Sequence, residues 1–203
     1  MNSFAGALQA SAARRAAQAP IWLQPQHANT TLLSGVYASH LQSQVTEIVV
    51  HASKSKLGEH SNVFTGHFRI YLVLEHGQSI QLNSFRFLSD GTTKLEVKYC
   101  PYEFSVTRTF MSKTKFPVAA PFTVRQALEC LLMNNRDHYV LDSSTGSGCR
   151  YWCYVVLVDF ARQGWIHPQY VQAVEYTAEA CRQDPRWADV GMPNPAPQGS
   201  FYA

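Results

Sequence analysis

The chain contains no apolar run near the ~20 residues that a membrane-spanning helix needs, so no membrane partner is expected. Its five cysteines include no CxxC pair, and no secretory leader with a continuous apolar core is visible. Free thiols in a reducing, cytoplasmic setting are the expectation. Lysines and arginines are scattered rather than interleaved with aromatics, and the formal net charge is only +3. Neither nucleic acid nor an acidic membrane surface is implied as a partner. The eight histidines include no HxxxH or HxH spacing, so the sequence suggests no metal centre. It also lacks GxSxG, a P-loop, and GxGxxG after a strand. The expectation is therefore chemistry with no cofactor.

What is present suits a folded domain. The 203 residues are 46% hydrophobic and 15% charged, enough to build one sizeable core with or without tails. Residues 1–35 read as an N-terminal arm: an Ala-rich helix over 3–18, ended by Pro20 and Pro25, then an irregular segment. Its many Ala and Ser residues, with Arg14 and Arg15 and no acid, also suit a transit peptide, but a surface or partly disordered helix is preferred. Residues 36–183 read as a single domain and 184–203 as an extended tail that docks through Trp187, Phe201 and Tyr202.

Within the domain, 45–51 is rich in β-branched residues and predicts a strand. Residues 67–74 alternate and then run apolar, as a central strand does. Residues 79–83 pair back across a turn at 75–78, 93–100 alternate as a half-exposed strand, and 104–110 alternate again. Thr123 is a plausible N-cap for a helix over 124–133. A Ser/Gly loop (143–148) leads into a helix from Cys149 to about Gly164, and Pro168 opens a last helix to about Cys181. Strands followed by helices predict an α+β fold: a four- to five-stranded antiparallel sheet with helices on one side.

The chemistry centres on Cys149. Cys149, Trp152, Cys153, Val156 and Phe160 follow one helical face. A thiolate at a helix N-terminus is stabilised by free backbone N–H groups, which lower its pKa from about 8.5 to somewhere between roughly 3.5 and 7.5. A buried, inert cysteine explains the same residues about equally well. A cysteine nucleophile needs a base. His67 opens the strongest strand, and Gln81 and Asn83 share a polar face of its neighbour. His138 is the reserve base; His51, His60 and His76 are weaker candidates.

A His at a strand start (67–72), a polar residue on the next strand and a later Gly148-Cys149-Arg150-Tyr151-Trp152 form an order that resembles the circularly permuted papain-like proteins. These include the NlpC/P60-type group with lecithin:retinol acyltransferase-like and PPPDE-type members. The same stretches, with Gly199-Ser200-Phe201-Tyr202, also resemble an uncharacterised fungal domain family of about this length. The first resemblance implies that Cys149 attacks a carbonyl, His67 takes its proton, and Asn83 or Gln81 orients the imidazole. The reaction would be amide, ester or thioester cleavage, or acyl transfer, through a thioester intermediate on a small-molecule or peptide-like substrate. Arg150 would pair with a substrate carboxylate, and Tyr71, Trp152 and Trp165 would line an apolar site. Two other readings stay open. One is a cofactor-independent cyclase or isomerase of specialised metabolism with an aromatic-lined pocket and His67 as a lone acid or base. The other is a non-catalytic assembly module whose arm or tail makes subunit contacts, as in a homodimer.

Overall fold

The computed structural model describes residues 24–56, 62–86, 88, 90–142, 145 and 148–202. The expected helix over 3–18, His60 and most of the Ser/Gly loop lie outside the described residues.

A short helix α1 (Pro25–Ala28) precedes strand β1 (Thr31–Ser34) and helix α2 (Ala38–Gln42). Four long strands follow: β2 (Gln44–Lys56), β3 (Phe64–Leu74), β4 (Ser79–Arg86) and β5 (Thr93–Cys100). Strand β6 (Phe110–Thr123) runs straight into helix α3 (Val124–Met133). The two-residue strand β7 (Tyr139–Val140) and helix α4 (Cys149–Arg162) come next, then helix α5 (Ala173–Gln183), strand β8 (Val190–Gly191) and strand β9 (Ser200–Phe201).

The fold is α+β, but the sheet is larger and less uniform than the expected four or five antiparallel strands. Seven strands take the order β1-β5-β4-β3-β2-β6, with β8 attached to β3. Strand β1 runs parallel to β5, and β8 runs parallel to β3. Both extra strands come from segments read as irregular, and at four and two residues they are too short to show a period. The expected strand over 104–110 is also displaced: 101–109 is a loop, and β6 starts at Phe110. Pro117 and Pro121 hide β6 in the sequence, and an edge strand tolerates them because one side needs no ladder donors.

The strands alternate between two environments. Ile48, Val50, Phe68, Ile70, Leu72, Ile80, Leu82, Leu95 and Val97 point inward with the buried side chains of α3, α4 and α5 in one core. Helix α4 lies against β3 and β4, and α5 against β6 and β2. Helix α3 starts where expected. Thr123 Oγ1 accepts from the Gln126 N–H (3.3 Å), and Gln126 Oε1 accepts from the Thr123 N–H (2.8 Å), a reciprocal capping box. Gly148 caps α4 with φ 143°. A side chain there would also meet the Tyr139 hydroxyl at 2.7 Å. That hydroxyl donates to the Gly148 carbonyl (3.0 Å) and accepts from the Gly199 N–H (2.9 Å). The C-terminal segment is thereby tied to the start of α4.

Candidate functional site

The helix start that carries Cys149 forms as expected, but its sulfur does not meet the imidazole. Phe68 lies on the inner face of β3, so His67, one residue earlier, projects from the outer face. Strand β3 pairs with β4 only over Ile70–Val73. Beyond that point the free edge of β3 is filled by other groups. Cys149 Sγ accepts from the Phe68 N–H (3.3 Å) and lies 3.8 Å from the Gly66 carbonyl. The thiol therefore continues a ladder that β4 has left. Among the described residues no hydrogen bond joins Cys149 to His67, whose Nε2 is taken by Asn83 instead. Burial raises the Cys149 thiol above its ordinary range, outweighing the Phe68 and Arg150 N–H groups that pull it down. Cys153, one turn on, is fully buried and raised further by burial.

Two other residues expected around that sulfur are used in packing. Arg150 is 4% exposed. Its guanidinium faces Glu175 (3.5 Å) and donates to the Pro193 carbonyl, so it ties α4 to α5 and the C-terminal segment rather than facing a substrate. Trp152 is fully buried and donates from Nε1 to the Arg136 carbonyl (2.7 Å). Trp165 stacks on Phe122 at 4.5 Å. His138 is held by the Gln26 carbonyl (3.0 Å) and its ring stacks on Tyr202. His76 is exposed in the β3–β4 turn.

The outer face does bring several of the expected residues together. His67 Nε2 lies 2.7 Å from Asn83 Oδ1, and Asn83 Nδ2 donates to Glu96 Oε2 (3.1 Å). Gln81 Nε2 donates to the same carboxylate oxygen (3.3 Å), and Tyr71 Oη donates to Gln81 Oε1 (3.0 Å). Glu96 sets the polarity of this network. An ionised carboxylate only accepts, so both amides turn their NH₂ groups toward it and their carbonyls away. The Asn83 carbonyl must then receive a proton from His67 Nε2, which leaves Nδ1 as the basic nitrogen. The register explains the meeting: Asn83 stands opposite Glu96, and Tyr71 opposite Gln81.

His51, a weaker candidate base from sequence, completes the cluster with two residues not assigned a role there. His51, Ser53 and Arg69 lie on the same face of β2 and β3, with His51 opposite Arg69. His51 Nε2 donates to the Ser105 carbonyl (2.9 Å), which anchors the 101–109 loop over this end of the sheet. Phe104 of that loop packs on Val49, Tyr71, Val73 and Cys100. Arg69 donates to Ser53 Oγ (3.0 Å), while its buried Nε has no partner. Among the described residues no carboxylate forms an ion pair with Arg69. Burial, joined by the Arg69 charge, lowers both His51 and His67 to about 4. At neutral pH the two imidazoles are thus uncharged, with Arg69 opposite His51 on β3 and Lys113 opposite it on β6. The signal for Arg69 was readable, since His67, Arg69 and Tyr71 recur every second residue. Glu96 was hidden, because a lone acid on an alternating strand reads as solvent-exposed.

No helix among the described residues is long and apolar enough to cross a membrane. No curated protein and no solved structure matches the chain significantly. A family model does match, over residues 46–202, and that stretch contains every member of the outer-face cluster as well as Cys149. The chain belongs to the family described as Domain of unknown function (DUF7770).

Proposed function

We propose that the outer face of the sheet binds a small molecule carrying a carboxylate or similar anionic group, and moves a proton on it without a cofactor. His67 is the base in this reading, Asn83 and Glu96 hold its ring and tautomer, and Arg69 anchors the anion. The reaction class is a cofactor-independent isomerisation or cyclisation. The observation that carries this reading is the half-buried Arg69 guanidinium, which has a buried Nε without a hydrogen-bond partner and, among the described residues, no carboxylate in ion-pair reach. Withdrawing part of a guanidinium from water without a counter-ion is unfavourable, and an anionic ligand would offset it. The same ligand would tune the base. An imidazole at about 4 is a weak proton acceptor at neutral pH. Burial is the main cause of that depression and would persist, but a bound anion would offset the Arg69 charge that adds to it and so raise His67.

The test is an NMR titration of His67 with benzoate as the probe. The expected result is a rise in the His67 pKa with saturating benzoate, lost in Arg69→Gln. No movement, or equal movement in the variant, would remove the proposal. A panel of enolisable carboxylic acids then separates catalysis from binding alone. Binding without turnover would leave a binding module.

A hydrolase or acyltransferase working through Cys149, on a permuted papain-like plan, is the second reading. Its support is the place of Cys149 in the first turn of α4, with two backbone N–H groups directed at the sulfur. It requires β3 to shift so that an imidazole reaches that sulfur. Selective iodoacetamide labelling of Cys149 at mildly acidic pH would favour it over the proton-transfer reading.

A further inference from the structure

We propose that His27, Asp137 and His138 form a binding site for one divalent transition-metal ion of the zinc class, which fastens the segment before β1 to the domain. His27 comes from α1. Asp137 and His138 come from the tight turn after α3, where Asn135 takes a positive φ of 53° and the Arg136 N–H returns to the Leu131 carbonyl (2.8 Å). All three side chains are buried, at 2%, 1% and 7% exposure. Two imidazoles and a carboxylate are a common donor set for zinc and its neighbours in the first transition row.

One potential ligand atom from each residue lies within 4.8 Å of the others. His27 Nδ1 is 2.8 Å from Asp137 Oδ2, and His138 Nε2 is 3.7 Å from the same oxygen. Ligand atoms around a tetrahedral ion with bonds of 2.0–2.1 Å stand roughly 3.3 Å apart. These two distances straddle that value, so small side-chain rotations suffice.

Charge and satisfaction independently point to a cation. Among the described residues Asp137 has no lysine or arginine partner. Its carboxylate meets only the two imidazoles and the Thr30 hydroxyl. Asp137 Oδ1, the second oxygen of this carboxylate, is buried with no hydrogen-bond partner among the described residues. A carboxylate this buried calls for a compensating positive charge. His138 Nε2 donates to the Gln26 carbonyl (3.0 Å), so ion binding requires the tautomer with the proton on Nδ1, which turns Nε2 into a ligand and leaves the carbonyl as a further oxygen beside the ion. A groove of about 300 Å³ lined by Asn29, Thr30, Leu88, Thr92, Thr93 and Lys94 reaches Thr30 and supplies a route of entry. The bound ion would also secure the C-terminal end, because the Tyr202 ring stacks on His138 at 5.0 Å and its N–H donates to the His138 carbonyl (3.1 Å).

The experiment uses the untagged full chain, stripped with a chelator and titrated with Zn²⁺ alone. Metal content after dialysis, thermal unfolding and the visible absorption of the Co²⁺-loaded protein are the readouts. The expected result is saturation at one ion per chain, a rise in unfolding temperature, and the absorption of a low-symmetry nitrogen/oxygen site. His27→Gln and Asp137→Asn should each weaken binding by more than the roughly 10–100-fold that loss of an outer-sphere partner costs. His76→Gln, in the exposed turn, should leave it unchanged. Failure of the wild-type chain to bind saturably overturns the proposal whatever the variants do. So does equal binding by wild type, His27→Gln and Asp137→Asn.

Discussion

The two faces of the central sheet are built from the same strands and differ in almost every other respect. On the inner face, Ile70, Leu72, Ile80 and Leu82 have no exposed surface and pack against helices. On the outer face, one residue away along the same backbone, stand His67, Arg69, Tyr71, Gln81 and Asn83. The inner face is satisfied by shape. The outer face is satisfied by an ordered polar network in which the Arg69 guanidinium has no counter-ion among the described residues. Apolar burial of about 25 cal/mol per Å² accounts for the first face and cannot account for the second. A polar surface covered this far gains little stability over a hydrophobic one.

The comparison can be broken most forcefully on the inner side. Trp152→Ala removes a fully buried indole and orphans the Arg136 carbonyl. It should cost about 3–5 kcal/mol in urea unfolding, against about 1 kcal/mol for Tyr71→Phe on the outer face, which loses one hydrogen bond.

The next effect is a pH dependence confined to the outer face. His51 and His67 are lowered from 6.5 to about 4, so the unfolded chain binds more protons than the folded one between those values. Stability is then full above 6.5 and falls as the pH drops toward 4. For the well-buried His51 the loss is on the order of 3 kcal/mol. Unfolding free energy measured across this window should flatten in the His51→Gln, His67→Gln double variant. A flat profile in the parent chain would contradict the two uncharged imidazoles.

A smaller effect sharpens the reading of the polar network. Glu96→Ala leaves Gln81 and Asn83 without the acceptor that orients them, at a cost of roughly 1.5–3 kcal/mol for hydrogen bonds to a charged group. Its signature is tautomeric. ¹⁵N shifts should place the His67 proton on Nε2 in the parent chain and show a mixture in the variant.

The mildest test returns to the helix start. Since burial raises the Cys149 thiol, the folded chain should alkylate at Cys149 no faster than at the other four cysteines, all of them buried. Unfolding in urea should make all five react. Preferential labelling in the folded state would move the site from the outer face to α4.

Much of the architecture was legible in the chain. The β3–β5 strands, the Thr123 cap, the helix opening at Cys149 and the docking of Phe201 and Tyr202 follow from period, capping chemistry and hydrophobic need. The His67–Asn83 pair was also legible, because alternation on adjacent antiparallel strands puts both on one face. These features are local or depend on neighbouring strands. The parallel strands β1 and β8 were not, since each is only a few residues long and gains its ladder from a distant partner. Glu96 as the hinge of the network, the placing of Arg69 opposite His51, and the meeting of His27 with Asp137 110 residues away depended on long-range register and chain crossing. The fate of Cys149 shows the division most clearly. The sequence determined that a thiol stands at a helix N-terminus, where the local field makes it acidic. Tertiary structure decided that the same thiol is sealed against the edge of β3. Removal from water costs the thiolate more than a helix end returns, and burial is a property of the whole fold rather than of any short stretch.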